Sequence, residues 1–334
     1  MKPVLKHERG RFAAPFFLPC LLVLSTASVL HAEMPELLLP VDCSATRCFV
    51  QKHVDNDPGP GLRDFACGRL TSDGHKGTDI AVPPVDATGA GVRVVAAAAG
   101  RVRGLRDGMS DVDVMAPGAP NVAGRECGNG VVIDHGDGWE SQYCHLKRGS
   151  LVVRKGEIVS AGTPLGEVGL SGDTNFYHLH FSLRENGRVV DPFRSNPDES
   201  CGSGTGKSPW PSLPDYAPGG VVQVGIANRV PSWSEVKAGF ARETLPGGPL
   251  DALVVWSQLY AGEAGDRLVL GIDFPDGRSR SGEIRLEKSQ PQLFRAWGIK
   301  APAQGFKSGD YRGRVELWRG ETLLARDAIA FRRP

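Results

Sequence analysis

Apolar positions along most of this chain come in short runs broken by glycine and proline, and no stretch carries a convincing helical period. Valine-rich runs at 92–99 and 131–134 read as buried strands. Residues 151–169 alternate strand-like pieces with Gly156, Gly162 and Gly166, a punctuation suited to tight hairpins. Further on, Leu268, Leu270, Ile272 and Phe274 share one face of a strand, and Tyr311, Gly313, Val315 and Leu317 do the same before a turn at Arg319-Gly320-Glu321. The pattern predicts an all-β protein. A glycine-rich antiparallel β-sheet or barrel-sandwich domain covers 61–198, and an immunoglobulin-like β-sandwich covers 221–334. Residues 199–220, rich in glycine and proline, read as a linker, and 33–60 as a polar lead-in.

Length and charge add limits. A chain of 334 residues has room for two cores. The formal net charge of +1 gives no sign of a nucleic-acid tail or a polybasic membrane patch. The first 32 residues read as a cleaved export signal: Lys2, Lys6, Arg9 and Arg11, a mostly apolar run over 16–30, then Leu30-His31-Ala32. No later segment is long and apolar enough to span a bilayer. With the export signal, a periplasmic or secreted location is expected. Removing the signal takes Cys20 and leaves six cysteines, an even number that reads as disulfides in an oxidising compartment. Sequence alone allows about 15 pairings. The expected set is Cys43–Cys48 as a local loop, Cys127–Cys144 across a hairpin turning at Gly136-Asp137-Gly138, and Cys67–Cys201. A cysteine–zinc site competes less well, because paired C-x-x-C spacing is missing.

Two segments carry metal chemistry. His75 and Asp79 lie four apart and His178 and His180 two apart, even spacings that put each pair on one face of an extended chain. Two imidazoles and a carboxylate suit Zn2+, and three protein ligands leave a fourth tetrahedral position for water. The set holds one histidine more than such a site needs. A third segment, Gln142-Tyr143-Cys144-His145-Leu146, completes a pattern of H-x-x-x-D, Y-x-H-L and H-x-H in that order. With GHKGTDI, GNGVVIDHGDGW, VSAGTPLGEVGLSG and HLHFSL around it, the chain resembles the lysostaphin-type (LytM-type) zinc endopeptidases over residues 61–192. The resemblance implies zinc at His75, Asp79 and His180, catalysis by His145 and His178, and peptide cross-links of bacterial cell walls as substrate. Departures from the family pattern are Gly172-Asp173-Thr174-Asn175-Phe176-Tyr177 before H-x-H, Cys144 before the central histidine, and an insertion at 105–125.

The reaction expected is peptide hydrolysis by zinc-activated water. The H-E-x-x-H glutamate base is missing, so proton handling falls to histidine, with His178 assigned to the water and His145 to the oxyanion. Tyr143 and His145 are expected on one strand face, His53 in a solvated loop and His135 at a surface turn. Asp73 is a candidate partner for His75, though local turn stabilisation is the plainer reading, and Asp191 reads as a turn cap. Asp173 and Asn175 are candidate substrate contacts. Two competing readings are a non-catalytic regulator of cell-wall amidases and a secreted zinc-containing binding module. The C-terminal region has no histidine, and its partner is open.

Overall fold

A computed structural model describes residues 1, 33–84, 89–194, 210, 211, 216–239, 245 and 249–333. The expected export signal, Cys201 and most of the expected linker lie outside these residues. Residues 34–334 form one compact unit.

Ten short strands build its first half. They are β1 (Phe49–Lys52), β2 (Thr78–Ala81), β3 (Arg93–Val95), β4 (Gly100–Arg106) and β5 (Asn129–Gly136), then β6 (Trp139–Leu146), β7 (Ile158–Val159), β8 (Pro164–Glu167), β9 (His178–Glu185) and β10 (Arg188–Val190). Eight of them make an antiparallel sheet in the order β1-β2-β9-β6-β5-β4-β7, with β10 beside β9, while β3 and β8 pair separately. The sheet begins in the lead-in, whose residues 49–52 form its edge strand. Two hairpins owe their turns to positive φ. Asp137 and Gly138 sit at +50° and +84° between β5 and β6, and Asn186 and Gly187 at +49° and +80° between β9 and β10. Both pairs match the two-residue turn whose twist suits a hairpin.

Alternation along β9 sets the two faces of the sheet. Leu179, Phe181 and Leu183 are buried in the core, while His178, His180, Ser182 and Arg184 line a cleft. The core side of the neighbouring β6 carries Trp139, Ser141 and Tyr143.

The second half has seven strands and a short helix. These are β11 (Gly220–Ala227), α1 (Trp233–Lys237), β12 (Ala252–Gly262), β13 (Arg267–Asp273), β14 (Ser279–Arg285), β15 (Gln290–Lys300), β16 (Gly309–Arg319) and β17 (Thr322–Arg333). They form two antiparallel sheets, β11-β12-β15 and β14-β13-β16-β17, over one apolar core. The predicted faces meet there: Leu268 pairs with Leu317, Leu270 with Val315 and Ile272 with Gly313. This half is tied to the first by Phe49 stacked on Tyr260, by a small cluster of Leu70, Val222 and Tyr260, and by Arg47 bonded to Asp327 at 2.7 Å.

Cys43–Cys48 and Cys127–Cys144 are disulfides, as expected from sequence. Cys67 is also disulfide-bonded, and its expected partner lies outside the described residues.

Candidate metal centre and cleft

The register of three adjacent strands assembles the site. Asp79 on β2 stands directly opposite His180 on β9, and His180 opposite Cys144 on β6. Neighbours in register share a face, so one row crosses the cleft floor from Asp79 to Cys144. Ala81 opposite His178 belongs to the next row. His75 reaches Asp79 from the loop before β2.

His145 joins this face against the alternation. Regular pleating would keep it on one face with Tyr143, as expected from sequence, and that face is the core. Instead β6 bulges: Val131 pairs with Tyr143, but Asn129 pairs with Leu146, leaving an extra residue on β6. His145 adopts φ +64°, in the left-handed region that only a few non-glycine residues occupy. The result is Tyr143 and Leu146 fully buried below the sheet and both Cys144 and His145 lining the cleft. Such a backbone state costs of order 1–3 kcal/mol and persists only where surroundings hold it. Here the backbone N–H of His145 donates to Cys127 O at 2.8 Å, next to the Cys127–Cys144 disulfide.

All five residues singled out from sequence come together. His75 Nε2 lies 3.1 Å from Asp79 Oδ1, His180 Nδ1 2.8 Å and His178 Nε2 3.5 Å from the same oxygen. Donor atoms of His75, Asp79 and His180 lie within 4.8 Å of one another, as do those of His145, His178 and His180. The rings of His145 and His178 are 4.7 Å apart, centre to centre.

Each ring is fixed through its outer nitrogen. His75 Nδ1 donates to His53 O at 2.7 Å, His145 Nδ1 to Ser171 O at 2.8 Å and His178 Nδ1 to Phe176 O at 3.0 Å. His180 Nε2 faces Ser182 Oγ at 3.2 Å. Because Ser182 spends its own proton on Lys76 O at 2.6 Å, its oxygen must accept from His180. A neutral imidazole with one nitrogen donating has a lone pair on the other. Tied in this way, each ring when neutral has a lone pair available on its inner nitrogen. For His75 and His180, beside a carboxylate oxygen, this donor set fits a divalent cation of zinc's softness, and the outer bonds are those that orient ligand histidines.

Burial opposes charge on Asp79, yet facing His75 and His178, with hydrogen bonds from His178 and His180, hold its carboxyl well below the usual range. Burial also pulls His75 down, but Asp79 outweighs it and leaves that imidazole raised. His145 is held well below its ordinary value, first by burial and then by His178 and His180. Burial is likewise the main cause of the lowered value of His180.

Other expectations fare differently. His53 is no solvated loop residue: it is 2 % exposed, packed between Phe65 and Phe193, and burial pushes its imidazole down to about 4. Its contribution to the site is a backbone carbonyl, a role that side-chain reasoning misses. That carbonyl, not Asp73, orients His75. His135 is half-buried away from the cleft, bridging Ala99 O and Ser141 Oγ at 2.7 Å each. Asp191 accepts from the N–H of Phe193 at 3.0 Å, as a turn cap does. Asp173 and Asn175 line the cleft, and so do Val114 and Met115 of the 105–125 insertion. Sequence reasoning passed over Phe176, stacked on His178 with ring centres 4.0 Å apart, and Lys52, Thr174 and Ser182. Extending the H-x-H alternation by two residues in each direction would have found Phe176 and Ser182.

Residues 73–192 match the sequence model of peptidase family M23. Peptidoglycan DD-endopeptidase ShyA of Vibrio cholerae is 39 % identical over 69 residues, which is 21 % of this chain and 16 % of ShyA. Lipoprotein NlpD of Yersinia enterocolitica is 37 % identical over 70 residues, 21 % of this chain and 69 % of that sequence. The chain spans only 16 %, 24 % and 25 % of ShyA, a Pseudomonas aeruginosa NlpD/LppB homologue and a Haemophilus influenzae outer membrane lipoprotein. Among solved structures, a zinc-containing peptidase from Vibrio cholerae aligns with TM-score 0.29 and 24 % identity over 45 % of this chain and 41 % of that one. The catalytic domain of lysostaphin from Staphylococcus simulans aligns with TM-score 0.28 and 19 % identity over 44 % and 89 %.

Proposed function

The chain belongs to peptidase family M23, and from that premise we propose that it is an exported zinc endopeptidase acting on peptide stems or cross-links of peptidoglycan. One observation carries this reading: four imidazoles, each held through one ring nitrogen, gather around one buried carboxylate and one another at the floor of a cleft of about 770 Å³. A binding module or non-catalytic regulator has no need of two further buried histidines, each anchored by a backbone carbonyl, beside a ligand set.

His75, Asp79 and His180 would hold the ion, which when bound supplies Lewis acidity that polarises a carbonyl and acidifies water. The protein's own share is proton traffic. His145 is kept neutral, with Nε2 unprotonated while Nδ1 donates to Ser171 O, so it is the acceptor for a proton from water. His178, 3.5 Å from Asp79 Oδ1, is the ring on which a proton has a carboxylate partner, and it donates to negative charge developing on the scissile carbonyl. The proton taken by His145 then passes to the departing amine. Geometry thus supports the reverse of the division of labour expected from sequence. Two disulfides support an oxidising compartment, in keeping with the basic, apolar N-terminal segment and with relatives named as lipoproteins.

The test is purified mature chain with zinc, assayed for metal content and for soluble muropeptides released from cell walls. His145→Ala should keep its zinc and lose release by about 10²–10⁴-fold, the usual worth of a general base. Undiminished release by that variant would remove His145 from the chemistry, and zinc binding that survives loss of Asp79 would remove the ligand set.

A further inference from the structure

Another of the cleft sheet's register breaks lies on the far side of the ligand strands from His145. On β1, Val50 pairs with Ile80 and Lys52 pairs with Asp79, so two residues of β1 span one step of β2. Without this bulge Gln51 would stand opposite Asp79. With it, Gln51 is buried and Lys52 lines the cleft at the end of the row that continues through Asp79, His180 and Cys144. Bulges beside active sites are a known way to re-aim one side chain. Here one bulge delivers His145 and the other delivers Lys52, on opposite flanks of the β2–β9 pair.

Lys52 has little structural reason to stand there. Its side chain is 23 % exposed, and the one carboxylate within 4.0 Å among the described residues is Asp79, whose Oδ2 is 3.9 Å from Nζ. That oxygen is not the one facing the imidazoles, and 3.9 Å is beyond hydrogen-bond reach. A cation beside a cation-binding site also works against the metal, since like charges raise each other's energy. Two further cations line the cleft: Arg184 is already engaged with Glu140 and Gln142, and Lys76 is exposed in the loop before β2.

We infer that Lys52 is a specificity-determining residue, an ammonium that binds a free carboxylate of the peptide substrate within about one residue of the scissile bond. The inference rests on the peptidase reading and sharpens it: the preferred peptide carries an unmodified acid on the β1 flank of the cleft. His145 stands on the other flank and His178 on β9, in the row next to that of Lys52, and they handle protons there, so Lys52 holds substrate without entering the proton chemistry.

The experiment uses the zinc-loaded mature chain and purified cross-linked muropeptide dimers, intact or with their peptide carboxylates converted to carboxamides. Amidation should raise KM about 10- to 100-fold, the worth of one charge-assisted hydrogen bond, with kcat much less affected. Lys52→Gln should impose a similar loss on the intact dimer and add less than about twofold on the amidated one, while Lys52→Arg recovers most of it. Calorimetry of product binding should repeat the pattern without turnover, and zinc content should not change. Equal losses on both dimers, or loss of zinc from Lys52→Gln, would make the lysine structural and overturn the inference. Wild-type protein cleaving both dimers equally would overturn it and leave the peptidase reading standing. Wild-type protein cleaving neither would defeat both.

Discussion

The cleft sheet and the paired C-terminal sheets are built from the same alternating antiparallel strands, yet they conceal opposite chemistry. In the cleft, Asp79, His145 and His178 are 2 %, 7 % and 2 % exposed, and every ring has a partner. In the C-terminal core, Leu268, Leu270, Ile272, Val315 and Leu317 are all completely buried, and β13 pairs with β14 and β16 without a register break. Cavity size does not tell the two apart. A pocket of about 700 Å³ beside Phe274, Phe306 and Tyr311 nearly equals the cleft, but its Arg278 and Lys307 lie against Asp276, and among the described residues no group of metal-ligating side chains gathers there. What separates them is what the breaks deliver. The C-terminal sheets have register shifts in β11–β12 and β16–β17 that bring no ligand set together among the described residues, whereas a bulge on each flank of the β2–β9 pair re-aims a polar side chain into the cleft.

The largest way to press this contrast is to damage the regular side. Leu270→Ala should cost about 2–5 kcal/mol, because the tightly packed core collapses only partly around the lost atoms. Thermal unfolding reads the loss. Zinc content and turnover of the folded fraction, measured well below the transition, should hold at wild-type values; a parallel fall in both would mean that the cleft depends on the C-terminal core.

Next in size is the disulfide beneath His145. Cys127 and Cys144 are 17 residues apart, and closing a loop near that length contributes about 3 kcal/mol through the unfolded chain. Replacing both with serine should therefore approach Leu270→Ala in stability. It should differ in turnover, which falls even in the folded state, since the same two residues brace the left-handed backbone of His145. Turnover unaltered at low temperature would show that the hydrogen bond to Cys127 O suffices to hold the ring.

Much of this was legible in the chain. The even spacings of His75/Asp79 and His178/His180 place their side chains on one face because strand pleating has a period of two, and the order β2-β9-β6 brings them side by side. The Cys43–Cys48 and Cys127–Cys144 bridges follow from a local loop and a hairpin. His145 and Lys52 were harder for one shared reason. A bulge adds one residue to one strand, so period-two reading assigns the wrong face from that point on. The burial of His53 was hidden differently, since Phe65, Phe193 and Tyr216 that enclose it are distant in sequence.

The smallest expected effect lies where the two regions meet. Lys237 of α1 pairs with Asp113 of the 105–125 insertion, with side chains 17 % and 21 % exposed. The insertion is bound to the cleft wall through Val112 N–H to Leu170 O at 3.1 Å and Val114 N–H to Thr174 O at 3.0 Å, and Met115 beyond it lines the opening. A partly screened pair of this kind is worth about 1 kcal/mol, so Lys237→Met should shift unfolding only slightly. Its sharper signature is in KM. Long cross-linked fragments that run past Met115 should bind more weakly in Lys237→Met, whereas a short peptide confined to the metal centre should not notice the change. Asp113→Asn should match Lys237→Met, and the double variant should be no worse than either, because both substitutions remove one shared contact. Additive losses would instead mean that each residue acts alone, and that the C-terminal region meets the cleft without steadying it.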